Sequence, residues 1–132
     1  MKADAVAVAP TVGDDAQSLG VRVLGDIVPD KSGAVHPGPH GMSVAPSLRA
    51  LPLHRIPKRL RPIVPAARGS DHLHIWTIGT EAFASGPACT GLHLTVDNDH
   101  HGTVGPDAAI ALAGFRAALA ATQHGWSIEE VA

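Results

Sequence analysis

The feature that most restricts the fold of this 132-residue chain is a run of prolines between residues 46 and 65. Proline inside a helix removes a backbone hydrogen bond, clashes with the preceding turn and disfavours helical geometry in the residue before it. The segment 46–68 is therefore predicted to be extended and irregular, apart from one turn at 48–51 that Ser47 can cap. The prolines are Pro46, Pro52, Pro57, Pro62 and Pro65.

Short strands are predicted on both sides of this Pro-rich segment. The pattern at 91–96 places Leu92, Leu94 and Val96 on one face and His93 and Thr95 on the other, which is the period-two alternation of a half-buried strand. Asp97, Asn98 and Asp99 are predicted to form a turn, so that 102–104 pairs back as a hairpin. Further strands are predicted at 21–28, 42–45 and 73–78.

One helix is predicted near the end of the sequence. Pro106 suits the first position of a helix, and Ile110, Phe115 and Leu119 lie on one helical stripe. Gly125 is placed to end the helix, after which Trp126 is expected to fold back as a hydrophobic clasp.

These elements predict an α+β fold, with a small mixed or antiparallel sheet, one C-terminal helix packed on it and a long Pro-rich irregular segment. The length is ordinary for a single domain. Residues 1–18 show no sustained periodicity and are predicted to be a flexible leader, followed by a single α+β domain over 19–132. With two Trp, two Phe and no Tyr, the core must consist mainly of Val, Leu, Ile and Ala.

Charge and cysteine content restrict the partners and the compartment. The net charge is −2, so no global field attracts nucleic acid or an anionic membrane, and nucleic acid is not expected as a partner. No stretch reaches the ~20 apolar residues of a membrane span. Cys89 is the only cysteine, which favours a reducing cytoplasm over secretion.

The strongest candidate binding site is the loop that runs from His36 to Val44. It combines His36, His40, Gly41 and Ser43 with several further Gly and Pro residues, and glycine permits close approach of the backbone to a ligand. Rigid loops of this kind often shape binding sites. The alternative is a simple connector with an ordinary surface serine.

A basic Pro-rich segment at 49–61 is the second candidate. It concentrates a large share of the chain's ten Lys and Arg residues and is suited to a phosphate, a nucleotide or an acidic protein partner. A solvated basic loop is the alternative. Its cations are Arg49, Arg55, Lys58, Arg59 and Arg61.

Histidine clusters are the third candidate. Residues 97–101 read Asp-Asn-Asp-His-His, and His72 and His74 share one face of a predicted strand that His93 can approach. Such side chains can ligate a transition metal. However, adjacent residues seldom converge on one ion and no metal-binding spacing is present. A polar hairpin turn at 97–101 and exposed histidines on a polar sheet face are therefore preferred, and no metal residue is assigned.

The order of these features resembles a known family. The chain carries Arg22, then Gly-Ala-Val-His-Pro at 33–37, His-Gly-Met-Ser-Val at 40–44, Gly-Leu-His-Leu-Thr-Val-Asp at 91–97 and His-Gly-Thr-Val-Gly-Pro at 101–106, before a terminal helix. This order, over 20–126, is similar to small effector toxins of type VI secretion with an ADP-ribosyltransferase-like fold.

The resemblance implies NAD-dependent modification of a target inside a bacterial cell. It places Arg22 and Ser43 in the catalytic site and implies that Arg22, His36, His40, Gly41 and Ser43 bind NAD. It also implies a cognate immunity protein or antitoxin as a partner. Two other classes remain open, namely a non-catalytic binding module that uses the basic segment 49–61 and a His-dependent metal-binding protein.

Overall fold

The computed structural model describes residues 12–13, 19–20, 27–38, 40–52, 56, 60, 75–79 and 83–128. In these ranges, short strands alternate with turns, and one α-helix, α1, spans Leu112–Ala120. The strands are β1 Val12–Gly13, β2 Leu19–Gly20, β3 Ala34–Val35, β4 Met42–Val44, β5 Trp76–Ile78, β6 Gly86–Cys89, β7 Leu92–Asn98, β8 His101–Pro106, β9 Ile110–Ala111 and β10 Trp126–Ile128.

A four-stranded antiparallel sheet in the order β4-β8-β7-β6 is the largest sheet of the described residues. Strands β7 and β8 form the predicted hairpin, and β4 confirms the short strand predicted at 42–45. Three two-stranded sheets accompany it, β1 with β2, β3 with β9 and β5 with β10. Together with α1, these sheets confirm the α+β fold class with mixed and antiparallel pairing.

The hydrophobic core lies between one face of this sheet and α1. Phe115 and Leu119 are 1% and 0% exposed, which confirms them as the buried face of the helix. The β7 pattern turns Leu92 and Leu94 toward the same core, because alternate residues of a strand share a face. The buried cluster consists of Ile27, Val35, Met42, Leu92, Val104, Phe115 and Leu119.

The predicted start of the helix at Pro106 is wrong. Pro106 is the last residue of β8, opposite Leu92, and Ile110 belongs to β9, opposite Val35. Ile110 is accordingly 41% exposed and does not belong to the buried stripe. Strand pairing outweighs the local preference of proline for a helix N-terminus.

The helix also ends earlier than Gly125. Its last residue is Ala120, and a 3₁₀ turn spans Gln123–Gly125. Trp126 does fold back, as the first residue of β10, which pairs antiparallel with β5. The indole is partly buried against the core cluster.

Several predictions fall on residues outside the described ranges. They include Arg22 with most of the strand predicted at 21–28, the greater part of the basic segment 49–61, and both His72 and His74. Within the predicted leader, Val12 packs against the core cluster and its strand pairs with β2. The leader boundary at residue 18 stays a prediction. No helix in the described ranges has the length and hydropathy to cross a bilayer.

Candidate functional site

The structure places four of the five predicted NAD-binding residues around β4 and the loop that leads into it. His36 directly follows β3, His40 and Gly41 directly precede β4, and Ser43 is the central residue of that strand. Arg22, the fifth, lies outside the described residues. The side chains of His36, His40 and Ser43 make no hydrogen bond to one another in the described part of the chain.

His36 is held by the carboxylate of Asp30, which sequence reasoning did not assign to the site. The His36 Nε2 atom donates to Asp30 Oδ2 over 2.7 Å. The neutral ring then presents Nδ1 as an acceptor. Both side chains are well exposed, so this imidazole is oriented yet open to a ligand. In the sequence, the role of Asp30 was indicated only by its place at the start of a turn that contains Ser32 and Gly33.

Asp30 organises the whole turn that precedes β3. Its Oδ1 atom accepts hydrogen bonds from the Ser32 backbone N–H (2.8 Å), the Ser32 hydroxyl (2.6 Å) and the Ala34 N–H (3.0 Å). The Ser32 hydroxyl above all, then His36 and the backbone N–H groups, holds the pKa of the Asp30 carboxyl well below its usual range. Asp30 is therefore ionised at any physiological pH and keeps His36 in place.

Gly41 allows the backbone before β4 to approach β8 very closely. Its φ is +148°, a conformation that side chains with a Cβ rarely adopt. A Cβ here would clash with the carbonyl group of Val104 and lie 3.2 Å from the Cα of Gly105. Glycine is therefore required by packing at this position, independently of any ligand.

Ser43 begins a row of hydroxyl groups across the sheet. It lies directly opposite Thr103 on β8, and Thr103 lies directly opposite Thr95 on β7. Residues directly opposite one another share a face of the sheet, and this face is the one turned away from Met42 and the core. Ser43 is exposed at one end of the row, whereas Thr103 in the middle is buried.

The cluster at 97–101 forms a side-chain hydrogen bond and a turn. The imidazole Nδ1 of His101 bonds to Oδ2 of Asp97, and the Asn98 side chain accepts a 2.8 Å hydrogen bond from the His100 backbone N–H. Strand β7 runs on to Asn98, so the turn is shorter than the one predicted at 97–99, and Asp97 is the extra residue of an irregularity in the ladder. In the sequence, this contact was indicated by the spacing of Asp97 and His101, which are four residues apart on either side of a turn.

The part of the chain that the structure describes holds no group of three or more His, Cys, Asp or Glu side chains arranged for a metal ion.

Only one cation of the basic segment 49–61 lies within the described residues. It is Arg49, which is exposed in a 3₁₀ turn at Leu48–Ala50. Ser47 precedes that turn as expected, but its side chain makes no capping hydrogen bond. Cys89 is an exposed free cysteine at the end of β6.

Comparisons with protein-family models, with curated proteins and with solved structures find no match to this chain. Its function is therefore inferred from its own residues and their arrangement.

Proposed function

We propose that this chain is an ADP-ribosyltransferase-like effector domain, which uses NAD to modify a target inside a bacterial cell. The order of residues from Arg22 to the C-terminal helix resembles such effectors, and the α+β fold suits that class. The observation that carries the proposal is the position of Ser43. It is exposed in the middle of β4, next to the close backbone approach at Gly41 and on the polar face of the sheet.

In this proposal, each residue has a chemical task toward NAD. The planar guanidinium of Arg22 binds the pyrophosphate or a ribose through paired hydrogen bonds. The Ser43 hydroxyl supports the ribose that carries the nicotinamide, and the imidazoles of His36 and His40 contact the same ligand at the rim. The chain has no Tyr, so the nicotinamide is not held between a pair of tyrosine rings.

The proposal is tested by the release of nicotinamide from NAD. The purified full chain is mixed with NAD and a bacterial extract that supplies the acceptor, and the extract alone serves as the blank. Ser43→Ala is expected to lower the rate, whereas Ser47→Ala is the matched control, because Ser47 is also exposed and makes no capping hydrogen bond. Equal rates for the two variants, or no release above the blank, would contradict the proposal.

Binding is tested separately from turnover. Ligands that bind only the folded state raise the melting temperature, so NAD is expected to raise that of the wild type. Arg22→Lys keeps the charge but loses the two-pronged geometry and is expected to reduce the shift. A shift that is unchanged in Arg22→Lys would remove Arg22 from the site.

A cellular test addresses the effector role and the proposed immunity partner. Expression of the chain in bacteria is expected to stop growth, Ser43→Ala is expected to relieve this, and an adjacent gene is expected to encode the protein that neutralises it. Normal growth with the wild type would argue against a toxin. In that case, metal found in the purified protein by elemental analysis would favour a His-dependent metal-binding protein. A lack of bound metal would favour the non-catalytic binding module.

A further inference from the structure

The Asp97–His101 pair lies on the same face of the sheet as Ser43. Thr103, two residues after His101 on β8, is directly opposite Ser43, and alternate residues of a strand share a face. His101 and Ser43 are therefore diagonal neighbours, a relation that spans roughly 7–8 Å between backbones. A ligand bound on this face can therefore contact both side chains.

The imidazole of His101 is oriented with one nitrogen bound and the other available. Its Nδ1 bonds to the Asp97 carboxylate, and its Nε2 makes no hydrogen bond to any residue that the structure describes. With Nδ1–H donating to Asp97, the neutral ring carries its lone pair on Nε2. The side chain of His101 is 42% exposed, so that lone pair is open to a substrate. A carboxylate on one imidazole nitrogen and a lone pair on the other is the arrangement of a general base.

Two observations separate this pair from an ordinary turn contact. The turn already has its own hydrogen bond, from the His100 N–H to the Asn98 side chain. Asp97 is the extra residue where the β7–β8 register shifts, and bulges of this kind re-aim a side chain and are frequent beside active sites. Asp99 and His100 are the other titratable residues at this end of the hairpin, and His93 lies farther along the same face.

We infer that His101, positioned by Asp97, is the general base of the Ser43 site, which rests on the function proposed above. The bond between the ribose C1′ and the nicotinamide nitrogen breaks, and neutral nicotinamide leaves with the bonding electron pair. A hydroxyl oxygen of the target, or of water, forms the new bond to C1′. Its proton passes to Nε2 of His101, and the Asp97 carboxylate stabilises the resulting imidazolium.

The test compares two variants with two matched controls by nicotinamide release, with NAD and the same bacterial extract. His101→Gln is expected to lower kcat by about 10²–10⁴-fold, the usual contribution of a general base, with KM for NAD nearly unchanged. Asp97→Asn keeps the shape of the pair and loses its charge. His100→Gln and Asp99→Asn alter the adjacent turn and are expected to react at the wild-type rate.

The pH profile distinguishes catalysis from a structural role. A general base acts only in its unprotonated form, so the wild-type rate is expected to fall as the pH is lowered. This acid limb is expected to disappear in His101→Gln. Asp97→Asn is expected to lower kcat as well, because an amide cannot stabilise the imidazolium as the carboxylate does.

The outcomes separate this inference from the proposed function. A wild type that releases nicotinamide, with His101→Gln equally active or with the acid limb retained in His101→Gln, overturns only the general base. A loss of rate no greater than the loss of folded protein by circular dichroism would also overturn it. A wild type that releases no nicotinamide overturns both.

Discussion

The indole Nε1 of Trp126 donates a 2.8 Å hydrogen bond to the hydroxyl of Thr122, which itself donates a 2.6 Å bond to the Leu119 carbonyl oxygen. A single hydroxyl thus bonds to a carbonyl at the end of α1, which also accepts the Thr122 backbone N–H, and to the first residue of β10. Thr122 is 9% exposed, so these bonds lie where water replaces them poorly. The connection fixes the chain reversal between the helix and the strand.

Thr122→Val is expected to destabilise the protein by roughly 1–3 kcal/mol, because it leaves the part-buried indole N–H without its partner at nearly constant volume. The Leu119 carbonyl keeps its bond from the Thr122 backbone N–H. Thr122→Ser keeps the hydroxyl and serves as the control. Urea denaturation followed by tryptophan fluorescence measures both. Equal midpoints for the two variants would mean that the hydroxyl contributes nothing to stability.

Gly41→Ala is expected to be much more destabilising than Gly38→Ala. Both glycines have positive φ, +148° and +136°, so both alanine variants carry backbone strain of roughly 1–3 kcal/mol. Only at Gly41 does the added Cβ also clash with the Val104 carbonyl, whereas at Gly38 nothing lies within 4 Å. Overpacking adds roughly 1–3 kcal/mol. Chemical denaturation compares the two free energies of unfolding, and similar losses would contradict the close approach of β4 to β8.

Phe115→Ala is expected to cost about 3–5 kcal/mol, the usual effect of emptying a buried aromatic site. That is a large part of the stability of a small domain. Ile110→Ala is the comparison, since its side chain is exposed on β9 and a cost of ~1 kcal/mol or less is expected. If denaturation gave the two variants equal costs, Ile110 would belong to the buried stripe after all.

Asp30→Asn is expected to lower the melting temperature at neutral pH by an amount that shrinks in acid. The folded state holds the pKa of Asp30 below its unfolded value, which is near ~3.9. The ionised carboxylate therefore stabilises the fold above that unfolded value, and the contribution is lost as the pH falls through the lower, folded pKa.

Melting curves of Asp30→Asn and wild type from pH 7 down to the most acidic pH at which both still fold test this linkage. The difference between them should be constant above about pH 5 and should decrease below about pH 4. Asp107→Asn provides an exposed control for the general effect of removing one negative charge. A difference independent of pH would show that the hydrogen-bond network around Asp30 does not depend on its ionisation.

Local pattern was sufficient for several elements of this fold. The alternation at Leu92–Val96 and the Met-Ser-Val pattern at 42–44 each predicted a strand that the structure contains, since side-chain period decides which face is buried. The spacing of Phe115 and Leu119 likewise identified the buried face of α1. The Gly- and Pro-containing loop at 36–41 was predictable as irregular chain from its composition.

Strand pairing decided the rest. Pro106 and Ile110 carry helical signals locally, yet the β7–β8 hairpin extends to Pro106 and β9 pairs with β3. The partner of β9 lies far away in the sequence, and no local pattern encodes that pairing. The same holds for the site. The amino-acid sequence contained Ser43, His36 and the 97–101 cluster as separate features. Only the tertiary structure joined His36 to Asp30 and set His101 and Ser43 on one face, since strand register determines which side chains meet.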